Sequence, residues 1–169
     1  MKIAIAALAL LFVTACSGAS HGERQATPQP QPTLLAQSRG VVVPLSAAVR
    51  QIAFRPVIPG AQIAAVALIP PLGGVDSRKT HGLAIEYASG GNALLLSQWP
   101  RPGFALTVNG VDLTASPCAP VAYKTDGLLW ATRNGLVMTL QPDGFIPAPR
   151  LAREAGRLMS AAGCRKKGR

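Results

Sequence analysis

Apolar and polar positions alternate along several short segments in the middle of the chain. Leu83, Ile85 and Tyr87 alternate with smaller or polar residues, and the same two-residue period recurs between Phe104 and Val108. Successive side chains of an extended chain point to opposite faces, so this period predicts strands with one large apolar face each. We therefore expect these segments to be strands of a sheet.

Turn signals separate the apolar segments. They are Ser89–Asn92, Asn109–Gly110, Asp126–Gly127 and Asn134–Gly135. Asn-Gly and Asp-Gly pairs tolerate the positive φ that a tight hairpin requires, so together the four signals predict an antiparallel meander. In the last predicted hairpin the buried face comprises Leu128, Trp130, Leu136, Met138 and Leu140.

Near the C-terminus the apolar period becomes that of a helix. Between Pro149 and Ala162 apolar residues recur at helical spacing, and Pro149 and Gly163 suit the first turn and the stop of such a helix. The opposite side of the helix carries Arg150, Arg153, Glu154 and Arg157. A second, shorter helix is predicted over Leu45–Ile52.

These elements predict an α+β fold, in which an antiparallel β-meander sheet packs against a C-terminal helix. Antiparallel sheets commonly bury one face and leave the other in water. We therefore expect the helix to cover one face of this sheet and the solvent to reach the other.

The first residues carry a targeting signal. Lys2 precedes an unbroken apolar run of eleven residues, Ile3–Val13. A membrane-spanning helix requires about 20 apolar residues, so the run is typical of a signal peptide that is later removed. We predict a signal peptide over residues 1–15.

The site that follows resembles the lipobox of bacterial lipoproteins, Val13-Thr14-Ala15-Cys16. The resemblance implies that Cys16 receives a diacylglycerol and becomes the first residue of a chain anchored by acyl groups such as palmitate. The alternative is a chance cysteine after an ordinary signal peptide. By the sorting habit of Gram-negative lipoproteins, Ser17 at the next position implies the periplasmic face of the outer membrane.

Composition divides the rest of the chain. Residues 16–40 are rich in Gly, Ser, Gln, Thr and Pro, centred on Pro28-Gln29-Pro30-Gln31-Pro32, and predict a semi-rigid tether. Residues 41–164 are long enough for one α+β domain with its own core. Residues 165–169 form a short basic tail.

Two cysteines lie outside the lipobox. Cys118 is in a proline-flanked loop and Cys164 follows the predicted helix. In an exported protein we favour a disulfide between them, with two free thiols as the alternative. No metal site is predicted, because the two histidines, His21 and His81, offer no ligand spacing with these cysteines.

The charge is strongly basic, with 17 Lys and Arg against 7 Asp and Glu. The densest cluster is the tail, with Arg165, Lys166, Lys167 and Arg169. Such a cluster suits anionic lipid headgroups or an acidic envelope protein, although a frayed, solvated tail is the alternative. Export argues against nucleic acid as the partner.

The sequence shows no motif for catalysis or cofactor binding. His81 needs a nucleophile or carboxylate such as Ser77, Asp76 or Glu86 for acid–base work, and no spacing brings these residues together. The chain carries no phosphate loop, dinucleotide fingerprint, zincin helix or paired carboxylates. We therefore predict no enzyme activity, no catalytic residue and no cofactor.

A second resemblance extends over most of the domain. Its elements are Phe54-Arg55-Pro56, Leu83–Tyr87, Leu94–Gln98, Val108–Val111, Leu128–Trp130 and the terminal helix. This order is similar to an uncharacterised extracytoplasmic domain of anti-sigma-factor-like envelope proteins. The resemblance implies a regulatory setting and no catalytic residues.

Two functions from different classes remain. The first is a membrane-anchored, non-catalytic interaction or accessory sensing module, which predicts an exposed apolar patch or sheet edge. The second is a lipoprotein that binds a lipid or a small apolar ligand in a cavity between sheet and helix, lined by Leu, Val and Trp130.

Overall fold

The structure is a computed structural model that describes residue 35 and residues 40–72, 81–124 and 126–164. The N-terminal signal, the lipobox, most of the tether and the basic tail lie outside these residues. The described elements are β1 (Val41–Val42), α1 (Leu45–Gln51), β2 (Ile63–Ile69), β3 (Gly82–Ser89), β4 (Asn92–Pro100), β5 (Thr107–Val108), β6 (Val111–Asp112), β7 (Val121–Tyr123), β8 (Gly127–Ala131), β9 (Leu136–Pro142) and α2 (Ala148–Ala161).

Seven of these strands form one antiparallel sheet in the order β1-β2-β3-β4-β9-β8-β7. The predicted α+β class, an antiparallel sheet with a C-terminal helix, is confirmed. The meander is interrupted after β4, where the chain leaves the sheet and forms the separate β5–β6 hairpin. The chain then re-enters the sheet as β7, the strand at the edge opposite β1. β8 pairs with β7, and β9 lies between β8 and β4.

The hairpin turns lie where the sequence predicts them, except that the positive φ of one turn belongs to a different residue. Gly90, Gly110 and Gly135 all have positive φ at the hairpin ends where turn signals stand. At Asp126–Gly127, by contrast, Gly127 already pairs with Tyr123 as the first residue of β8. The positive φ of that hairpin belongs to Lys124.

The two helices cover one face of the sheet. α1 spans Leu45–Gln51 and α2 spans Ala148–Ala161, each within a residue of its predicted bounds. α2 buries Leu151, Ala155 and Leu158 against strand residues. The core cluster beneath it includes Trp130, Leu136, Met138 and Leu140, with Leu128 partly buried beside them. The predicted buried face of the last hairpin is therefore confirmed.

The opposite face of the sheet is also buried, so the expectation that it lies in water was wrong. The β5–β6 hairpin and the chain after it cover one part, where Leu113 packs with Leu129, Ala131 and Val137. The strand predicted over Phe104–Val108 is accordingly short, because only its last two residues pair. The hairpin serves as a cover for the sheet rather than as an additional strand.

Leu35 covers another part of this second face. It is 2% exposed and packs with Ala67, Ile69, Ala84 and Leu95. Its backbone N–H donates to a carboxylate oxygen of Glu86, itself buried, at 3.2 Å. The packed part of the protein therefore includes a residue of the predicted tether, and a chain that begins at Val41 lacks that contact.

Candidate functional site

The predicted site residues fall into two groups. Cys16 and the basic residues of the tail, Arg165, Lys166, Lys167 and Arg169, lie outside the described residues, so these remain predictions. Cys118 and Cys164 are described and form a disulfide, with their Cα atoms 5.5 Å apart. The structure therefore contains the pairing that the sequence favours.

The disulfide fastens the C-terminal end of α2. Gly163 adopts a left-handed φ of 83°, and the Cys164 N–H donates to the Met159 carbonyl at 2.8 Å. On the other side of the bridge, the Cys118 N–H donates to the Ala131 carbonyl of β8 at 2.7 Å. The bridge thus joins the end of the helix to a loop that is hydrogen-bonded to the sheet.

A cleft runs along α2 where the helix passes the β3–β4 turn. Two adjoining pockets of about 240 and 340 Å³ share Ser89, Gly90, Glu154 and Arg157. Arg150 and Arg153 line the first of them together with Leu94, Ile146 and Leu151. We call this combined region the arginine cleft. With three arginines and one glutamate, its lining is cationic at neutral pH.

Arg150 is hydrogen-bonded to the β3–β4 turn within the arginine cleft. Its guanidinium donates to the carbonyl oxygen of Ser89 at 2.8 Å and also to the carbonyl oxygen of Gly90. Gly90 has a positive φ, and a Cβ atom there would collide with the same guanidinium. Arg150 and Gly90 therefore fix the β3–β4 turn against the helix.

Glu154 and Tyr87 connect the cleft to the core. The phenol of Tyr87, fully buried, donates to a carboxylate oxygen of Glu154 at 3.1 Å. Burial raises the pKa of Tyr87 well above its ordinary value, and the negative charge of Glu154 raises it further. Arg157 pairs with the same carboxylate at 3.4 Å. The carboxylate of Glu154 thus accepts a hydrogen bond from the buried Tyr87 and forms an ion pair with Arg157.

Two arginines of the cleft point to solvent. The side chain of Arg157 is 79% exposed even though it pairs with Glu154. Arg153 is exposed and makes no hydrogen bond or ion pair with the residues that the structure describes. These two groups are the ones that an anion approaching from solvent would meet.

A large apolar side chain is exposed in the loop that leads into α2. Phe145 is 82% exposed in the loop between β9 and α2. The next residue, Ile146, is buried in the core and also lines the cleft. Phe145 is therefore an exposed aromatic side chain one residue away from a residue that packs in the core and lines the cleft.

The structure does not assemble the catalytic pair that was considered from sequence. His81 is exposed just before β3, whereas Glu86 is buried on that strand. A strand rises about 3.3 Å per residue, which places their Cα atoms roughly 16 Å apart. Asp76 and Ser77 lie outside the described residues. Among the described residues, no group of three His, Cys, Asp or Glu side chains is arranged to hold a metal ion.

Trp130, the predicted marker of a ligand cavity, lies in the core. It is fully buried in the cluster under α2, and neither pocket of the arginine cleft reaches it. Its indole N–H has no hydrogen-bond partner among the described groups. Trp130 packs with apolar side chains of that cluster.

The sequence places the arginines of the cleft on the outer side of a helix and leaves their partners open. The helical spacing of Arg150, Arg153 and Arg157 was the available signal, because i, i+3 and i+7 share one side of a helix. Their position against the β3–β4 turn depends on tertiary packing. Phe145 carried no signal, since a single aromatic residue in a loop is as often buried as exposed.

Comparison with protein-family models, with curated proteins and with solved structures finds no match for this chain. Within the described ranges, no helix combines the length and apolar character needed to cross a bilayer.

Proposed function

We propose that this chain is a cell-envelope lipoprotein, anchored through Cys16, whose folded part is a non-catalytic interaction module. The anchoring rests on the lipobox sequence, Val13–Cys16. The disulfide between Cys118 and Cys164 is consistent with an oxidising compartment outside the cytoplasm. In a Gram-negative source the expected location is the periplasmic face of the outer membrane.

The observation that carries the interaction role is the exposed Phe145, the chain neighbour of Ile146 in the lining of the arginine cleft. Isolated surface apolar residues are normal, but this one is 82% exposed and directly precedes the buried Ile146, which lines the cleft together with Arg153. Aromatic and arginine side chains are both enriched at binding surfaces. Among the described strands β1 is at one edge of the sheet, where Val41 and Val42 are each 67% exposed, and we propose this edge as a further contact surface.

The carrier hypothesis receives no comparable support. It required a cavity lined by Leu, Val and Trp130, and Trp130 instead packs in an apolar cluster. The arginine cleft is open and largely polar, which does not suit an apolar ligand.

Photo-crosslinking from residue 145 tests the interaction role. A photoreactive amino acid replaces Phe145 in the full-length chain, which is then irradiated in its native envelope. We expect a discrete adduct, either with a lipid or with a protein. The matched control places the same group at Ala119, which is exposed in the loop next to the disulfide. Identical adducts from both positions, or none from residue 145, would contradict the proposal.

A further inference from the structure

We propose that Phe145 and the exposed arginines of the cleft dock on the surface of an anionic bilayer. The inference rests on the proposed function, because the anchor at Cys16 would keep the domain near a membrane. It extends that function by naming the partner as the phosphate-bearing headgroups of anionic lipids. The docking surface comprises Phe145, Arg153 and Arg157.

The arginines provide the electrostatic part of this surface. Arg153 and Arg157 are one helical turn apart, which is about 6 Å along α2. Their planar guanidinium groups donate several hydrogen bonds at once and suit phosphate oxygens. Arg150 is already bound to the carbonyl oxygens of Ser89 and Gly90, so it contributes charge while it holds the surface in shape.

The charge balance favours an anionic partner. Among the described residues, Glu154 is the one acidic side chain that lines the cleft, and its carboxylate accepts from the Tyr87 phenol and pairs with Arg157. Asp143 begins the loop that carries Phe145. Counting Arg150, Arg153 and Arg157 against Glu154 and Asp143, the cleft and this loop keep a net charge of 3 − 2 = +1. An anionic lipid surface is therefore complementary to it.

Phe145 supplies the apolar part. Proteins that lie on a membrane combine basic side chains at the headgroups with aromatic or aliphatic side chains inserted into the interface. Phe145 is in the loop directly before α2, so its ring and the arginines are presented by neighbouring segments of the chain. Partial burial of this ring in the interface would remove a large apolar side chain from water.

Proximity favours lipid over an acidic protein as the occupant. If the lipid anchor already holds the chain at the membrane, then docking of the folded part is a second, tethered binding event. The effective concentration of lipid headgroups for that event is high. Modest affinity is then sufficient for docking. The basic tail predicted at Arg165–Arg169 would add to the same attraction, which is why its contribution must be separated in the test.

The test uses a chain that begins at Ser17, which lacks the lipid anchor and retains every described residue. Its binding to phosphatidylcholine vesicles, with and without phosphatidylglycerol, is measured by co-sedimentation at low and high salt. We expect binding only with phosphatidylglycerol and weaker binding at high salt. Each arginine near an anionic surface strengthens binding about fivefold, so Arg153→Gln/Arg157→Gln should weaken it about 25-fold. Phe145→Ala should weaken it about tenfold.

A matched variant controls for net charge. Arg50→Gln/Arg133→Gln removes two exposed arginines that do not line the cleft. It should weaken binding much less than the cleft variant. Equal losses from the two variants would overturn the inference, as would equal binding to neutral vesicles. The same holds if replacing the four basic tail residues abolishes binding while the cleft variant does not reduce it.

The outcomes also separate this inference from the function on which it rests. If the chain does not bind anionic vesicles but residue 145 crosslinks to a protein in the envelope, the interaction role stands and the lipid partner is wrong. If residue 145 gives no adduct in the envelope, the interaction role itself fails.

Discussion

Replacing Cys118 and Cys164 with alanine should lower the free energy of unfolding by about 4 kcal/mol. The bridge closes a loop across a sequence separation of 46, and the chain-entropy model gives about 4 kcal/mol for a loop of this length. For a domain of this size the corresponding fall in melting temperature is on the order of 10 °C. Thermal and urea unfolding of the two proteins measure the difference.

Reduction of the unmodified chain provides the control. Wild-type protein treated with a reducing agent should unfold like the double-alanine variant, whereas the variant itself should not respond to the agent. If the variant is as stable as the oxidised wild type, then the disulfide does not hold α2 to the sheet in solution.

The second large effect is expected at Gln98. Its side chain is fully buried under the helix-covered face and binds both backbone groups of Val57. The Val57 N–H donates to Oε1 at 2.7 Å, and Nε2 donates to the Val57 carbonyl at 2.8 Å. Gln98→Ala leaves both groups unpaired in a buried site. Each unpaired group costs about 1–3 kcal/mol, so we expect a loss of roughly 3 kcal/mol in unfolding free energy, measured in urea.

Gln62→Ala is the matched control, because Gln62 is exposed and its side chain makes no described contact. It should change the unfolding free energy by no more than about 0.5 kcal/mol. Gln98→Leu separates packing from hydrogen bonding, since it keeps most of the volume and removes both bonds. If Gln98→Leu is as stable as the wild type, then the pairing with Val57 contributes little.

The helices and hairpins could be predicted because their signals are local. A run such as Leu136–Leu140 alternates for the length of a strand, and Asn134–Gly135 supplies the positive φ of its turn. α2 combines an apolar stripe with a proline at its start and Gly163 at its end. In these segments propensity, pattern and turn chemistry all favour the same local structure.

The strand order and the second face could not be predicted in the same way. Nothing local to β4 indicates that its partner is β9 rather than the next strand along the chain. The expectation of a wet face rested on the general habit of antiparallel sheets, whereas Ala67 and Ala84 on that face pack with Leu35. Leu35 itself was assigned to the tether because its neighbours are polar and proline-rich, and its burial depends on a distant strand.

The candidate site was predictable only in part. Cys118 and Cys164 could be paired because an exported chain with two remaining cysteines offers few alternatives. The arginine cleft could not be predicted from local sequence, because it depends on tertiary contacts. Arg150 and its hydrogen-bond partner Ser89 are 61 residues apart. A helix face with three arginines looks the same in sequence whether it is solvated or part of a binding surface.

We propose that this chain is a lipid-anchored envelope protein, and intact-mass spectrometry tests this proposal most directly. The chain is purified from its native envelope without denaturant, and its mass is compared before and after reduction. We expect a chain that begins at Cys16 and carries a diacylglycerol with its acyl chains. Reduction of the disulfide should add the mass of two hydrogens. A mature chain that carries no lipid, or one cleaved at a site other than the bond before Cys16, would contradict the claim.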